Sequence, residues 1–387
     1  MSDKDSNSEK KQVIEQQIYH FDDLIIEEIL TRLPIKSILR FKSVSKQWYS
    51  TLSSSDFANA HLIKSPFSHP SAPVDTLLIE NDKNYYIFSY DDDDQISGNF
   101  EDNLVKLDVD FGVGKDHLRL TGCCNGLVCL TSASDEYFII WNPATRKLHK
   151  YPSHGYFKCP DEANHVSITC GFGYASSVDD YKFVGILSVV QGNTKSTIIH
   201  IFSLRENRWR NIDHFHDHLV PYRPGLLVSD KLYWKAYSKQ AGYLLVSFDL
   251  AVERFDVINI DWDEFDFLAV MGGCLSKCNF SETFTGDKLL HIMEPPVIVK
   301  SIVLPKELKL DWFSQMIGFT KTDKFFVTGS FSDETRDFVH RRTLGIVDTC
   351  TKPMQYRVLL RFNKFSKIVK YVPSLFSPFP IEKPSEA

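Results

Sequence analysis

Residues Phe21 to Leu62 read FDDLIIEEILTRLPIKSILRFKSVSKQWYSTLSSSDFANAHL. Phe21, Ile25, Ile26, Ile29, Leu30 and Leu33 recur at three- and four-residue spacings, the period of a helix. Asp22 and Asp23 fall in its first turn, where acidic side chains favour the helix dipole. Pro34 ends this helix and suits the first position of the next, where its missing N–H costs nothing. In the second helical pattern Ile38, Leu39, Phe41, Val44 and Trp48 are apolar, and Lys36, Arg40, Lys42 and Lys46 cover the other side. About forty residues cannot bury all these side chains among themselves. The surplus faces a partner or the rest of the chain.

This stretch resembles the F-box. The family pattern is a leading Leu-Pro, an acidic pair, an Ile-Leu, a Leu-Pro, a Ser-Leu, then Val-Cys-Lys-x-Trp. It is matched at Asp23, Leu24, Glu28, Ile29, Leu30, Arg32, Leu33, Pro34, Ser37, Ile38, Leu39, Arg40, Val44, Lys46 and Trp48. Phe21-Asp22 stands where Leu-Pro is usual, and Ser45 where Cys is usual. The resemblance implies a three-helix domain that binds a Skp-family adaptor. The adaptor-binding residues it points to are Phe21, Leu24, Ile25, Ile29, Leu33, Pro34, Ile38, Leu39, Val44 and Trp48.

The chain's 387 residues allow two domains, and 43% hydrophobic residues make the bulk globular. A formal charge of −6 argues against a nucleic-acid surface. Residues 1–17 are polar and charged, which predicts a disordered arm and contains no apolar core of a signal peptide. No stretch reaches the length of apolar residues that spans a membrane. The eight cysteines sit mostly in apolar runs and are expected to be reduced, in the cytoplasm or nucleus.

Lys64 to Pro73 holds three prolines, the mark of a stiff linker, placed at residues 64–75. From about Thr76 the pattern changes to short apolar or alternating runs parted by Gly, Asp, Asn and Pro, which is strand chemistry. A turn followed by an aromatic or aliphatic strand starts at Asp82, Asn125, Asp180, Asp230, Asp287 and Asp323, a mean interval of about 48 residues. That interval suits propeller blades of the kelch type. A second phrase falls between these starts, at Ile139–Leu148, Ile201–Trp209, Val246–Phe255 and Ile346–Thr351, and reads as a hairpin late in each blade. The fold predicted is α+β multidomain: an F-box over 18–63, then an all-β kelch-like propeller of about six blades over 76–375, with a tail at 376–387. Closing the sheets into a ring protects edges that would otherwise aggregate.

Three phrases extend the resemblance: Gly122–Leu130, Trp141–Arg146, and Gly171-Phe172-Gly173-Tyr174-Ala175 with Asp179–Val184. They look like the F-box-associated domain of plant F-box proteins, a family that includes the S-locus pollen F-box proteins. Tyr371–Leu375 is similar to that family's usual close.

Other constellations are read as structural. The glycines of GFGY let strands approach closely, and Asp179-Asp180 makes a turn. Cys274 and Cys278 lack a second pair at zinc spacing. His214, His216 and His218 are read as an exposed loop, and Asp91–Asp94 as a solvated loop without calcium-ligand spacing. No nucleophile elbow, P-loop or HExxH occurs.

The resemblance implies a substrate receptor of an SCF-type ubiquitin ligase. The adaptor would join a cullin and a RING subunit, and the propeller would hold a target protein. It implies no catalytic residue, cofactor, metal, nucleic acid or membrane. Recognition is expected in loops at 153–165, 214–224, 276–286 and 331–341. The rivals are an F-box scaffold without ubiquitination and a kelch-type propeller enzyme with an axial metal.

Overall fold

The computed structural model describes residues 25–66, 72–90, 100–113, 117–157, 165–191, 194–215, 220–221, 223–239, 241–258, 266–282, 288–294, 297–304, 308–309, 315–331, 341–348, 355–363 and 366–378. The predicted N-terminal arm lies outside them.

Four helical segments come first among the described residues, one more than expected: α1 (residues 25–30), α2 (Ile35–Phe41), α3 (Lys46–Leu52) and α4 (Ser55–Lys64). The division is chemical. Pro34 is the N-cap of α2, one position before the expected place. The Ser45 hydroxyl accepts from the Trp48 N–H at 3.1 Å and caps α3. Ser54 does the same for Phe57 in α4. A short polar side chain there satisfies an amide the helix cannot. Leu30, Ile35, Ile38, Leu52, Phe57 and Ala58 form the helical core.

The described residues that follow fold into six antiparallel sheets of four or five strands. Blade one holds Thr76–Asn81, Asn84–Ser89 and Leu104–Leu107; its innermost strand is Lys367–Lys370, from the far end of the chain. Leu77 pairs with Lys370 and Glu80 with Lys367. This late strand closes the ring. Blade two runs outward from the axis through Leu118–Cys124, Leu127–Ser132, Tyr137–Asn142 and Lys147–Pro152. Blade three runs from His165–Ala175 to Arg208–Phe215, and blade five from Phe267–Met271 to Val297–Leu304. Blades four and six each add a second short inner segment. The inner strands touch in order, from Leu118–Cys124 round to Lys367–Lys370 and back.

Hydrophobic clusters fill wedges between blades. Trp141, fully buried, meets Tyr85 and Phe111 edge-on at 5.7 and 5.3 Å. Trp234 is buried and stacks on Phe255; Trp209 is half-buried in an aromatic cluster of blades two and three. The GFGY glycines stand where blade four presses on blade three. A Cβ on Gly171 would lie 2.9 Å from Leu232 and Trp234, and one on Gly173 2.5 Å from Leu227.

The repeat starts at Asn125, Asp180, Asp230 and Asp323 fall at the turn between the first and second strands of their blades. Two starts do not. Asp82-Lys83 turns between the second and third strands, because the first strand of that blade arrives from residue 367. The Asp287 start lies outside the described residues and precedes the third strand of blade five, Lys288–Glu294. The equivalent first turn there is Gly272-Gly273, with φ of 60° and 84°. The second phrase marks the turn between third and fourth strands throughout.

Candidate adaptor-binding surface and ring faces

The helices divide the expected adaptor-binding residues. Ile25 and Ile29 lie one helical turn apart on α1, and Ile29 is 55% exposed. Pro34 and Leu39 are also exposed, and Val44, between α2 and α3, is 62% exposed. Ile38 is 0% exposed, inside the core, so it supports the surface from beneath. Leu33 and Trp48 are half-buried, and Trp48 meets Phe41 edge-on at 5.6 Å. Phe21 and Leu24 lie outside the described residues. Tyr49, 61% exposed on α3, and Ile26 on α1 were not among the expected residues. Tyr49 follows Trp48 directly, and its exposure depends on how α3 seats, which spacing does not show.

Polar contacts lock the helices together. Glu28 accepts from Arg32 at 2.6 Å and from the ammonium of Lys64, tying α1 to the end of α4. Lys64 first, then Arg32, hold the Glu28 carboxyl below the usual carboxylate range. His61 is buried, its Nε2 2.8 Å from the Leu33 carbonyl. Burial holds its imidazole below the ordinary value.

The ring completes the helical core. Leu375, beyond the last strand, is buried with Ile38, Leu52 and Phe57, and Ala144 packs against the same cluster. Asn142 organises the junction. Its Oδ1 accepts from the Ala144 and Thr145 N–H groups, and its Nδ2 donates to the Ser374 and Phe376 carbonyls. The Ser374 hydroxyl donates to the Asn125 carbonyl at 2.5 Å. Gly126, with φ +75°, leaves room for this: a Cβ there would lie 2.4 Å from Ser374. Asn125 in turn donates to the Tyr181 hydroxyl, whose ring packs on Phe376. The expected spacer is fastened as well. The Val74 N–H donates to the Phe319 carbonyl at 2.8 Å, and Lys370 donates to the Ala72 carbonyl at 2.6 Å.

Antiparallel order assigns the faces. Turns between first and second strands, and between third and fourth, share one face; all other connections share the other. Asn125-Gly126 and Pro143–Arg146 are of the first kind, so the helices sit on that face, at blade two. The stretches expected to carry recognition, 153–165, 214–224, 276–286 and 331–341, fall partly outside the described residues. Each follows or precedes strand ends on the opposite face.

Burial pushes the Cys124, Cys170 and Cys278 thiols up to about 12. Such thiols are protonated at neutral pH and are weak nucleophiles. Among the described residues no group of three or more His, Cys, Asp or Glu side chains is placed to hold a metal.

Residues 18–59 match the F-box domain family, and residues 76–295 match the F-box associated beta propeller domain family. The chain belongs to the F-box-associated β-propeller family. The match ends inside blade five, whereas the structure continues the same strand plan through blade six to Lys370. The chain is similar to an F-box/kelch-repeat protein of Arabidopsis thaliana, 30% identical over 60% of this chain and 63% of that one. It is also similar to the F-box protein CPR1 of Arabidopsis thaliana, 24% identical over 78% of this chain and 77% of that protein. A further F-box protein of that plant is 31% identical over 61% of this chain and 62% of its own length. The chain thus spans about three fifths of two of these relatives.

Proposed function

We propose that the chain is the substrate-recognition subunit of an SCF-type ubiquitin ligase. The exposed side chains of Ile25, Ile29, Leu39 and Val44 dock a Skp-family adaptor, which brings the cullin and RING subunits. The opposite face of the ring holds a target protein. The chain itself breaks no bond. It raises the effective concentration of target lysines beside a ubiquitin-charged conjugating enzyme.

The observation that carries this reading is the placement of the helices: fixed to one face of the ring through Leu375, with apolar side chains left exposed. A rigid mount keeps the distance between adaptor and target constant, which is what proximity catalysis requires. The test is to follow a co-purified partner after translation is stopped, with the wild-type chain and with Val44→Asp. Faster decay and ubiquitin on the partner with the wild-type chain alone support the receptor. Equal decay, with no ubiquitin, gives the protein a scaffold role instead.

A further inference from the structure

The ring encloses an axial cavity of about 1610 Å³. That exceeds the usual span of small-molecule sites, up to about 1,000 Å³, and is roomy enough for a stretch of peptide. Leu62 of α4 and Ala72 to Val74 line its end on the helix face. Its other end points toward the face assigned above to the target.

The whole chain carries a formal charge of −6, yet the cavity wall has the opposite sign. Arg119, Arg223, Lys235, Lys321, Lys367 and Lys370 line it, against Asp230, Asp266 and Asp323. Arg119, Arg223 and Lys367 stand at or before the starts of inner strands, hence toward the mouth away from the helices. Several of these cations bind neutral acceptors. Lys367 donates to the Leu120 carbonyl at 3.0 Å and Lys235 to the Asp266 carbonyl at 2.7 Å. Arg119 is shared between the Ser132 carbonyl and the Asp135 carboxylate. Asp266 also meets Lys277 at 2.8 Å. Glu80, buried behind the wall near Lys367, His117 and Arg119, accepts from the Leu120 N–H at 2.7 Å, and burial raises its carboxyl. Low-dielectric walls focus a field of one sign into a cleft and draw in ligands of the other.

We propose that this cavity is a binding site for an acidic peptide segment, entering from the mouth opposite the helices. Carboxylate or phosphate groups on that segment meet Arg119, Arg223, Lys235 and Lys367. The proposal rests on the ring being the target-holding domain, and it names the chemistry the ring selects.

The experiment uses the full chain, co-purified with its adaptor, and a fluorescein-labelled octapeptide of alternating Glu and Ser. The control replaces every Glu by Gln. Anisotropy should show the acidic peptide bound at least about tenfold more tightly than the control, a difference of about 1.4 kcal/mol. Raising salt from about 0.05 M to about 0.5 M should weaken it by about tenfold, because the Debye length falls to a few ångströms. Arg223→Gln with Lys235→Gln should weaken binding similarly, whereas Lys36→Gln on the helices should leave it unchanged. A benzophenone on the same peptide, with the wild-type chain, should label cavity residues such as Tyr174, Leu227 and Met316, which does not depend on a variant folding. Equal binding of the Gln peptide, or labelling confined to the outer surface, overturns the proposal. Loss of peptide binding while a partner is still ubiquitinated removes the cavity site and leaves the receptor standing.

Discussion

The side-chain amide of Asn142 donates to the carbonyl oxygen of Phe376 at 2.7 Å, across 234 residues of sequence. The same side chain caps its own hairpin and reaches Ser374. Asn142→Leu keeps the number and branching of side-chain heavy atoms and removes all four bonds. Each buried polar partner left unsatisfied costs about 1–3 kcal/mol. The variant should unfold at clearly lower denaturant, and trypsin should cut the released tail near Lys370 faster than in the wild type.

Surface and core of the helical unit should separate by measurement. Ile29→Asp and Val44→Asp change exposed side chains, so each should abolish adaptor pull-down with a thermal midpoint close to wild type. Ile38→Ala creates a cavity in the core and should cost about 2–5 kcal/mol, lowering the thermal midpoint first. If both surface variants bind the adaptor normally, the docking face lies elsewhere.

Acid should loosen the helices through His61. Burial holds its imidazole below the ordinary value, against a smaller opposing effect from the Leu33 carbonyl. The unfolded chain takes up its proton near pH about 6.5. As pH falls below that, the unfolded state binds more protons, so stability present at neutral pH is lost toward the lower folded value. Hydrogen exchange in Ser55–Lys64 should accelerate between pH 7 and pH 5, after correction for the intrinsic rate. His61→Gln should flatten that dependence; an unchanged slope would exclude His61 as the source.

Ring closure depends on Lys367–Lys370. A chain stopped after Asn363 exposes the inner edge of Thr76–Asn81 and loses Leu375 from the helical core. It should show a broad, weakly cooperative melt and associate through the unpaired edge. A sharp monomeric transition would show that the ring stands without its closing strand.

The blades were legible because turn chemistry is local. Asn142-Pro143 and Glu206-Asn207 stand at hairpin turns, as the phrase of an apolar strand followed by a polar turn required. Gly272-Gly273 escaped notice because Asp287 offered a stronger turn signal one hairpin later. The shift at Asp82 came from closure, which depends on a strand some 290 residues away and leaves no mark in spacing. On the helices, Ile29, Leu39 and Val44 are exposed, whereas period alone did not place Ile38 inside. Its cluster includes Leu375 from the far end of the chain, and nothing near residue 38 announces that. Ser45, where the family has Cys, carried a readable signal in its capping position.

Leu375 has a consequence for the order of assembly on the ribosome. The helical unit is synthesised first, but the side chain that finishes its core is made after every strand of the ring. Until that residue is added, the cluster that holds Ile38 and Leu52 lacks one of its buried members. A complete helical core therefore arrives only with the closing of the ring. Chains cut short by a premature stop present an unfinished helical unit beside an unclosed ring.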